Sequence, residues 1–305
     1  MIMCGCVQVT RFLHAFVDTI TIGPTTKMTG SQAQKQGPAW NSHRIGTGKE
    51  KYHLVGTFTR YSSWTARVEV LLEYYEIPYT ASFFHIYKDD GKRQIKQFSP
   101  TGKVPCLVTS IPQGDRSTTI HVYESLAISE FLAESHPELP LWPRDRELRA
   151  LARSAAAEMH AGFESIRESF TSNFLAKYTG PVPISDKDAK DIKRVLELWG
   201  NARKRTEKRM RELGEKDEGF LFGKFGIVDA FFWPVLGRFR TYNLPLDSAS
   251  PEALAWIDKM WNEPVMKRQV QYYFRQAEDP ETGVDMYEDV FKHIPEVKCG
   301  TIDKP

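Results

Sequence analysis

Phe98-Ser-Pro-Thr-Gly-Lys-Val-Pro-Cys-Leu-Val108 and, one loop later, His121-Val-Tyr-Glu-Ser-Leu-Ala-Ile-Ser-Glu-Phe-Leu132 decide the reading of this chain. They describe a turn, a proline at the mouth of a strand, and an acid plus a hydroxyl opening an amphipathic helix. Pro105 stands directly before the apolar run Cys106-Leu107-Val108. A proline is costly inside a central strand but suits a strand entrance, especially with a cis bond. A cis Val104-Pro105 bond turns the Val104 N–H and C=O outward, where they pair with a peptide ligand as one more short strand.

Working outward, Tyr52 to Phe58 reads as a strand, Trp64 to Tyr75 as a helix stopped by Ile77-Pro78, and Tyr79 to Phe84 as a second strand. Lys92 to Phe98 is a short helix. Val104 to Thr109 and Thr119 to Val122 form a hairpin across a long loop, Ser110 to Ser117, and Glu124 to Ser135 is a helix with Leu126, Ile128, Phe131 and Leu132 inward. The order β-α-β-α-β-β-α is that of a thioredoxin-like domain. The three prolines of His136-Pro-Glu-Leu-Pro-Leu-Trp-Pro143 forbid a continuing helix and mark a linker. Beyond it the pattern is helical: Asp145 to about Phe170, Asp186 to Leu213, Ile227 to Tyr242 and Pro251 to about Glu278. In the second of these Ile192, Val195, Leu196 and Trp199 make one apolar stripe. The expected class is α/β plus all-α: an extension over residues 1–50, a thioredoxin-like domain over 51–135, a linker over 136–143, a helical domain over 144–283 and an aperiodic tail over 284–305.

Gly102-Lys-Val-Pro105 with Glu124-Ser125-Leu-Ala-Ile128 resembles the glutathione-binding half of a cytosolic glutathione S-transferase. There the proline is cis and the acid-hydroxyl pair holds the γ-glutamyl end of glutathione. Leu221-Phe-Gly-Lys-Phe-Gly-Ile-Val-Asp-Ala230 is similar to the N-cap motif that starts the family's central helix, with Asp229 reaching back to the cap N–H. Gly226 stands where the family has Ser or Thr. Ala157-Glu-Met-His-Ala-Gly-Phe163 and Pro234-Val-Leu-Gly-Arg-Phe-Arg-Thr-Tyr242 resemble a bacterial and fungal branch near the zeta class. The likeness runs from about Leu54 to Gln276.

Glutathione chemistry needs a thiolate, and a free thiol is mostly protonated at neutral pH. Thr59-Arg-Tyr-Ser-Ser-Trp-Thr-Ala-Arg67 puts hydroxyls at a helix start, where free N–H groups favour negative charge. Its Tyr61-Ser-Ser-Trp64 portion resembles the zeta Ser-Ser-Cys motif. Ser62 aligns to the thiolate donor and Ser63 to the second serine, while Trp64 replaces the cysteine. Either serine also suits an ordinary N-cap, and Tyr61 is a rival donor. The resemblance implies that Lys103, Val104, Pro105, Glu124 and Ser125 bind glutathione, and that Met159, His160, Phe163 and Arg167 wall the acceptor pocket. Arg238 and Arg240 are further candidates for an anionic substrate, or paired surface groups.

The formal net charge of +2 over 305 residues gives no reason to expect nucleic acid or an anionic membrane as partner. The basic run Asn201 to Arg211 reads as a solvated helical face. Four cysteines (Cys4, Cys6, Cys106, Cys299) show no metal-binding or redox spacing, so no metal and a reducing compartment are expected, with Cys106 a core residue. No run approaches the roughly 18 apolar residues that span a bilayer. The first fifty residues are expected to be unfolded or a mitochondrial targeting segment, with Met28 a plausible start. The expected function is a cytoplasmic, homodimeric transferase that directs glutathione at a small hydrophobic electrophile, in detoxification or fungal secondary metabolism. Alternatives are a glutathione-dependent isomerase or ether-cleaving lyase, and a non-catalytic binding or scaffolding protein.

Overall fold

The computed structural model describes residues 51–114 and 116–305, so the expectations for residues 1–50 lie outside the described residues. Strand β1 (Tyr52–Gly56) pairs parallel with β2 (Tyr79–Phe83) and antiparallel with β3 (Cys106–Gln113), which pairs with β4 (Arg116–Tyr123). The sheet order is β2-β1-β3-β4. Leu54 and Val55 are both fully buried, as a strand covered on both faces requires. Helices α1 (Ser63–Tyr74), α2 (Asp89–Lys96) and α3 (Ser125–Ser135) complete the thioredoxin-like half.

The hairpin corrects one expectation. Instead of a long loop over residues 110–117, the ladder continues to Gln113 opposite Arg116, with Gly114 at φ 60° in the turn. The β-branched pair Thr118 and Thr119 continues the β4 ladder, which suits its β propensity.

The helical half holds α4 (Arg146–Ala161), α5 (Glu164–Ser169), α6 (Asp186–Leu213), α7 (Ile227–Thr241), α8 (Pro251–Asn262) and α9 (Pro264–Ala277). Two helices expected as continuous are therefore broken. The first stops at Gly162, and Phe163 takes a left-handed φ of 56°. The second stops before Pro264, which lacks the N–H a continuing helix needs and begins the next one instead. The stripe of α6 lies inside as expected, and a Ser185–Asp188 capping box starts it. In its basic stretch Arg203 departs from the solvated face: it is buried and paired with Asp217 at 2.7 Å.

Residues after Gly283 do not form a loose tail. A short helix α10 (Asp285–Glu288) follows, and β6 (Lys298–Thr301) pairs antiparallel with β5 (Ala176–Thr179). Val284, Val297 and Ile302 are buried. Both strands are only four residues long, too short for alternation to declare them.

Asp229 ties the turn before α7, and Trp256 of α8, to the start of α7. Its buried carboxylate accepts from Leu221 N at 2.9 Å, Gly226 N at 3.0 Å and Trp256 Nε1 at 2.8 Å. Burial pushes its pKa up to about 6, and the three donors oppose that rise. The glycine at the cap has a steric reason: a Cβ on Gly226 would lie 2.9 Å from the Leu141 carbonyl oxygen. Asp229→Ala strips the acceptor from three buried donors, so urea unfolding should show a loss of roughly 3 kcal/mol or more. Gly226→Ser restores the family's capping hydroxyl yet should still destabilise by about 1–3 kcal/mol, because the linker carbonyl must move.

Candidate functional site

The site begins where β1 hands over to α1. A Cβ on Gly56 would lie 2.4 Å from Thr65 Cγ2, so the glycine lets the helix start close over the strand end. Ser62 is the N-cap of α1: its Oγ accepts from Thr65 N at 3.2 Å and donates to Thr65 Oγ1 at 3.0 Å. Ser62 thus fills the ordinary capping role and also lines a cavity of about 330 Å³, together with Ser63, Trp64, Arg67, Val104, Arg167, Arg238 and Tyr287. Tyr61 borders the same cavity, but its hydroxyl donates to Glu288 and burial holds its ionisation well above the usual phenol range. Arg60 stacks on the Tyr61 ring at 4.1 Å and reaches Glu288 at 3.4 Å.

A second, more open groove adjoins this cavity and shares Trp64, Ile86 and Val104 with it. Lys103, Glu124 and His160 line the groove. The Val104-Pro105 bond is cis. Glu124 sits at φ 74°, a conformation that L residues rarely hold without reason and that costs of the order of 1–3 kcal/mol. Beside it, at the first position of α3, Ser125 is fully buried and its Oγ has no hydrogen-bond partner. An unsatisfied hydroxyl at a helix N-terminus suits a carboxylate of a bound molecule.

Charge in the cavity comes mainly from arginines. Arg67 is fully buried, none of its three side-chain nitrogens has a hydrogen-bond partner, and its guanidinium lies 4.3 Å above the Trp64 ring and 4.9 Å from that of Phe231. Burial, and then the charges of Arg238 and Arg167, lower its pKa to about 9, so it stays a cation at neutral pH. Arg238 is buried too, donating to Phe170 O at 2.7 Å and Pro234 O at 2.8 Å, and Arg167 lies 5.6 Å from the Trp64 ring. Arg240 stands elsewhere, over Trp261 at 4.0 Å. His160 packs edge-on to Trp64 with Nε2 3.8 Å from Glu124 Oε2. Burial and the Arg67 charge lower its pKa, which keeps the ring neutral at neutral pH.

Of the four residues expected on the acceptor wall, His160 and Arg167 border the two cavities. Met159 and Phe163 instead pack into the helical core at 1% and 6% exposure. Arg67 escapes sequence reading because an arginine in a helix is ordinarily solvated. Val284 and Tyr287 escape it because their segment has no periodicity.

Family models for both halves match this chain: the glutathione S-transferase N-terminal domain over residues 61–135 and the C-terminal domain over residues 184–259. The chain belongs to the glutathione S-transferase family. It is 30% identical over 125 residues to the maleylacetoacetate isomerase of Dictyostelium discoideum, covering 39% of this chain and 54% of that protein. A probable maleylacetoacetate isomerase of Caenorhabditis elegans is 32% identical over 115 residues, 38% of this chain and 49% of that one. This transferase-family chain therefore spans about half the length of the curated relatives it matches first. Pyrimidodiazepine synthase of Drosophila melanogaster is 26% identical over 72% of this chain and 79% of its own length. The fold is that of the glutathione transferase Omega 2S of Trametes versicolor, at a TM-score of 0.53 and 20% identity over 77% of this chain and all of that one.

Among the described residues no three His, Cys, Asp or Glu side chains gather to hold a metal, and no helix is long and apolar enough to cross a membrane. Cys106 is fully buried and burial pushes its thiol up to about 11. Iodoacetamide at neutral pH, followed by peptide mapping, should leave Cys106 unmodified in the folded transferase and modify it in urea.

Proposed function

We propose that this transferase-family chain binds glutathione and activates its thiol for attack on a small electrophile. The observation that carries this reading is the buried, partnerless Ser125 hydroxyl next to Glu124, which has a positive φ and lines a groove that continues past Val104 into the Ser62 cavity. Ser125 and the α3 N-terminus suit the γ-glutamyl carboxylate, Glu124 the amino group, Lys103 the glycyl carboxylate, and the Val104 backbone the peptide between them. The cis Val104-Pro105 bond presents that backbone at the strand mouth.

Bound glutathione supplies the nucleophilic sulfur. The Ser62 Oγ is held by the Thr65 N–H, and its O–H, which donates to Thr65 Oγ1, turns to donate to the thiolate instead at the cost of about 1 kcal/mol for the exchanged bond. Ser63 is the second hydroxyl at the same helix end. Lowering the thiol pKa by about two units takes roughly 2.7 kcal/mol of anion stabilisation. One charge-assisted hydroxyl bond and the α1 N-terminus supply that together. Tyr61 is left aside as donor, because Glu288 already takes its proton.

The same reading divides the chain into a glutathione-binding domain over 51–135, a linker over 136–143 and an acceptor domain that runs from 144 through the packed C-terminal residues. Homodimer assembly, a cytoplasmic location and a role in detoxification or secondary metabolism belong to it on resemblance alone. A second reading, glutathione-dependent isomerisation, draws on the two isomerases among the relatives. Trp64 in place of the zeta cysteine weighs against it.

Ultraviolet titration of the thiolate in the protein–glutathione complex should give a thiol pKa about two units below that of free glutathione. Ser62→Ala should return it toward the free value while sparing binding, and Ser63→Ala should move it less. Ser125→Ala should instead weaken glutathione binding about tenfold, the worth of one hydrogen bond to a charged group. A complex without thiolate absorption would overturn the enzymatic reading and favour the binding protein.

A further inference from the structure

Helix α1 carries a pair of buried acids that the glutathione site does not use. Glu69 and Glu73 lie one helical turn apart on the same face, the first fully buried and the second 6% exposed. Glu73 takes the Tyr79 hydroxyl at 2.7 Å. Neither oxygen of Glu69 closes a hydrogen bond of ordinary geometry, and the Thr59 hydroxyl is the group beside it that favours its charged form. Helix α9 packs against α1 with Gln269, Tyr272 and Tyr273 buried, and Gln269 Oε1 also lacks a donor. The cations that act on this seam, Arg275 on Tyr272 and Arg240 on Tyr273, leave Glu69 without a counter-charge. Two neighbouring carboxyl groups out of water, with no cation between them, cannot both ionise. Burial first, and then the charge of Glu73, push the Glu69 carboxyl well above the usual carboxylate range.

Thr59 connects this pair to the serine turn. It accepts the Gln276 amide at 2.8 Å, and the carbonyl of the same Gln276 takes the Arg60 N–H at 3.1 Å. Having accepted there, the Thr59 hydroxyl keeps its own proton to give, and Glu69 is the acid beside it. We propose that Glu69 is a positioning residue for the serine turn: the two α1 acids share one proton, and Glu69 in its neutral form accepts the Thr59 hydroxyl, completing a chain of contacts from α9 through Thr59 to the turn that carries Ser62. The proposal rests on the glutathione reading above only for what that turn does. An ionised Glu69 would place two negative charges in the seam between α1 and α9 and draw Gln276 away from the turn.

Urea unfolding at several pH values tests the shared proton without glutathione. A Glu69 that is neutral in the fold and ionised in the unfolded chain gives the fold one more bound proton, so wild-type stability falls as pH rises past the ordinary carboxylate range, until Glu69 ionises in place. Glu69→Gln has no such proton, so the unfolding constant of the wild type relative to this variant should rise about tenfold per pH unit between about pH 6 and 8. Amide exchange at Arg60 tests the positioning. Glu69→Gln keeps a carbonyl for Thr59 and should leave this exchange within about twofold of wild type at neutral pH, whereas Glu69→Leu removes the acceptor and should speed it about tenfold, even if the whole protein becomes harder to unfold. Glu69→Met is read the same way if the leucine variant does not fold. With glutathione bound, the thiol pKa should be unchanged in Glu69→Gln and move toward the free value in Glu69→Leu. An unfolding ratio that stays flat with pH would overturn the proposal, since Glu69 would then be ionised in the fold. So would equal exchange at Arg60 in the glutamine and leucine variants, which would confine the acid to helix packing. If the wild-type complex forms no thiolate, the glutathione reading falls, while the unfolding and exchange results still decide what Glu69 does.

Discussion

The buried side chain of Gln276 joins the two halves of the site. Its carbonyl accepts from Arg60 N at 3.1 Å and its amide donates to Thr59 Oγ1 at 2.8 Å, so the end of α9 grips the turn that carries Ser62 and Ser63. Phe174 N reaches the Arg60 carbonyl at 3.0 Å from a second direction, and Arg60 itself reaches Thr282 and Glu288. A loop between a strand and a helix would otherwise keep several open backbone groups. Here the N–H and C=O of Arg60 are satisfied by Gln276 and Phe174, both more than a hundred positions away, while Tyr61 N and Ser62 N bond locally to Phe58 O, and the serine hydroxyls inherit that rigidity. Placement of a reactive group within a fraction of an ångström requires such support from outside the turn.

The rest of the cleft follows from what each half contributes. The sheet half offers backbone and hydroxyl groups at Val104 and Ser125, suited to a zwitterionic peptide. The helical half offers rings and guanidinium groups, with Trp64 the hinge between them, since it borders both cavities. Tyr74 stacking on Phe225 at 3.9 Å and the Arg67 contact with Phe231 show the two halves packed through aromatic surfaces on α1 and around α7. Aromatic faces accept cations without neutralising them, so this packing leaves positive charge facing the cavity.

Much of this was legible in the sequence. The strand-entering Pro105, the Glu124-Ser125 helix start and the apolar stripe of α6 each carry a local signal strong enough to survive tertiary context. Helix breaks at Gly162 and Glu263 were harder, since a periodic apolar pattern runs on across a kink when both pieces pack against the same core. The pairing of β5 with β6 joins segments more than a hundred residues apart, and periodicity has no access to such a contact. Arg67 was invisible for a different reason: its burial is decided by α7 and the helical wall, and nothing in the local run Thr65-Ala-Arg67 announces it. Met159 and Phe163 were misplaced on the acceptor wall because a resemblance carries over a helix more faithfully than the face it presents.

The packed C-terminus changes how this cleft can diversify. Val284 and Tyr287 border the cavity that holds Ser62, while Glu288 binds Tyr61 and Arg60, yet the segment lies outside both matched family domains. A change confined to the coding stretch for residues 284–305, by a shifted splice site or a short insertion, would redraw one wall of the pocket and leave the serine turn and peptide groove encoded as before. Selection for new acceptors has a short, separable piece of coding sequence on which to act.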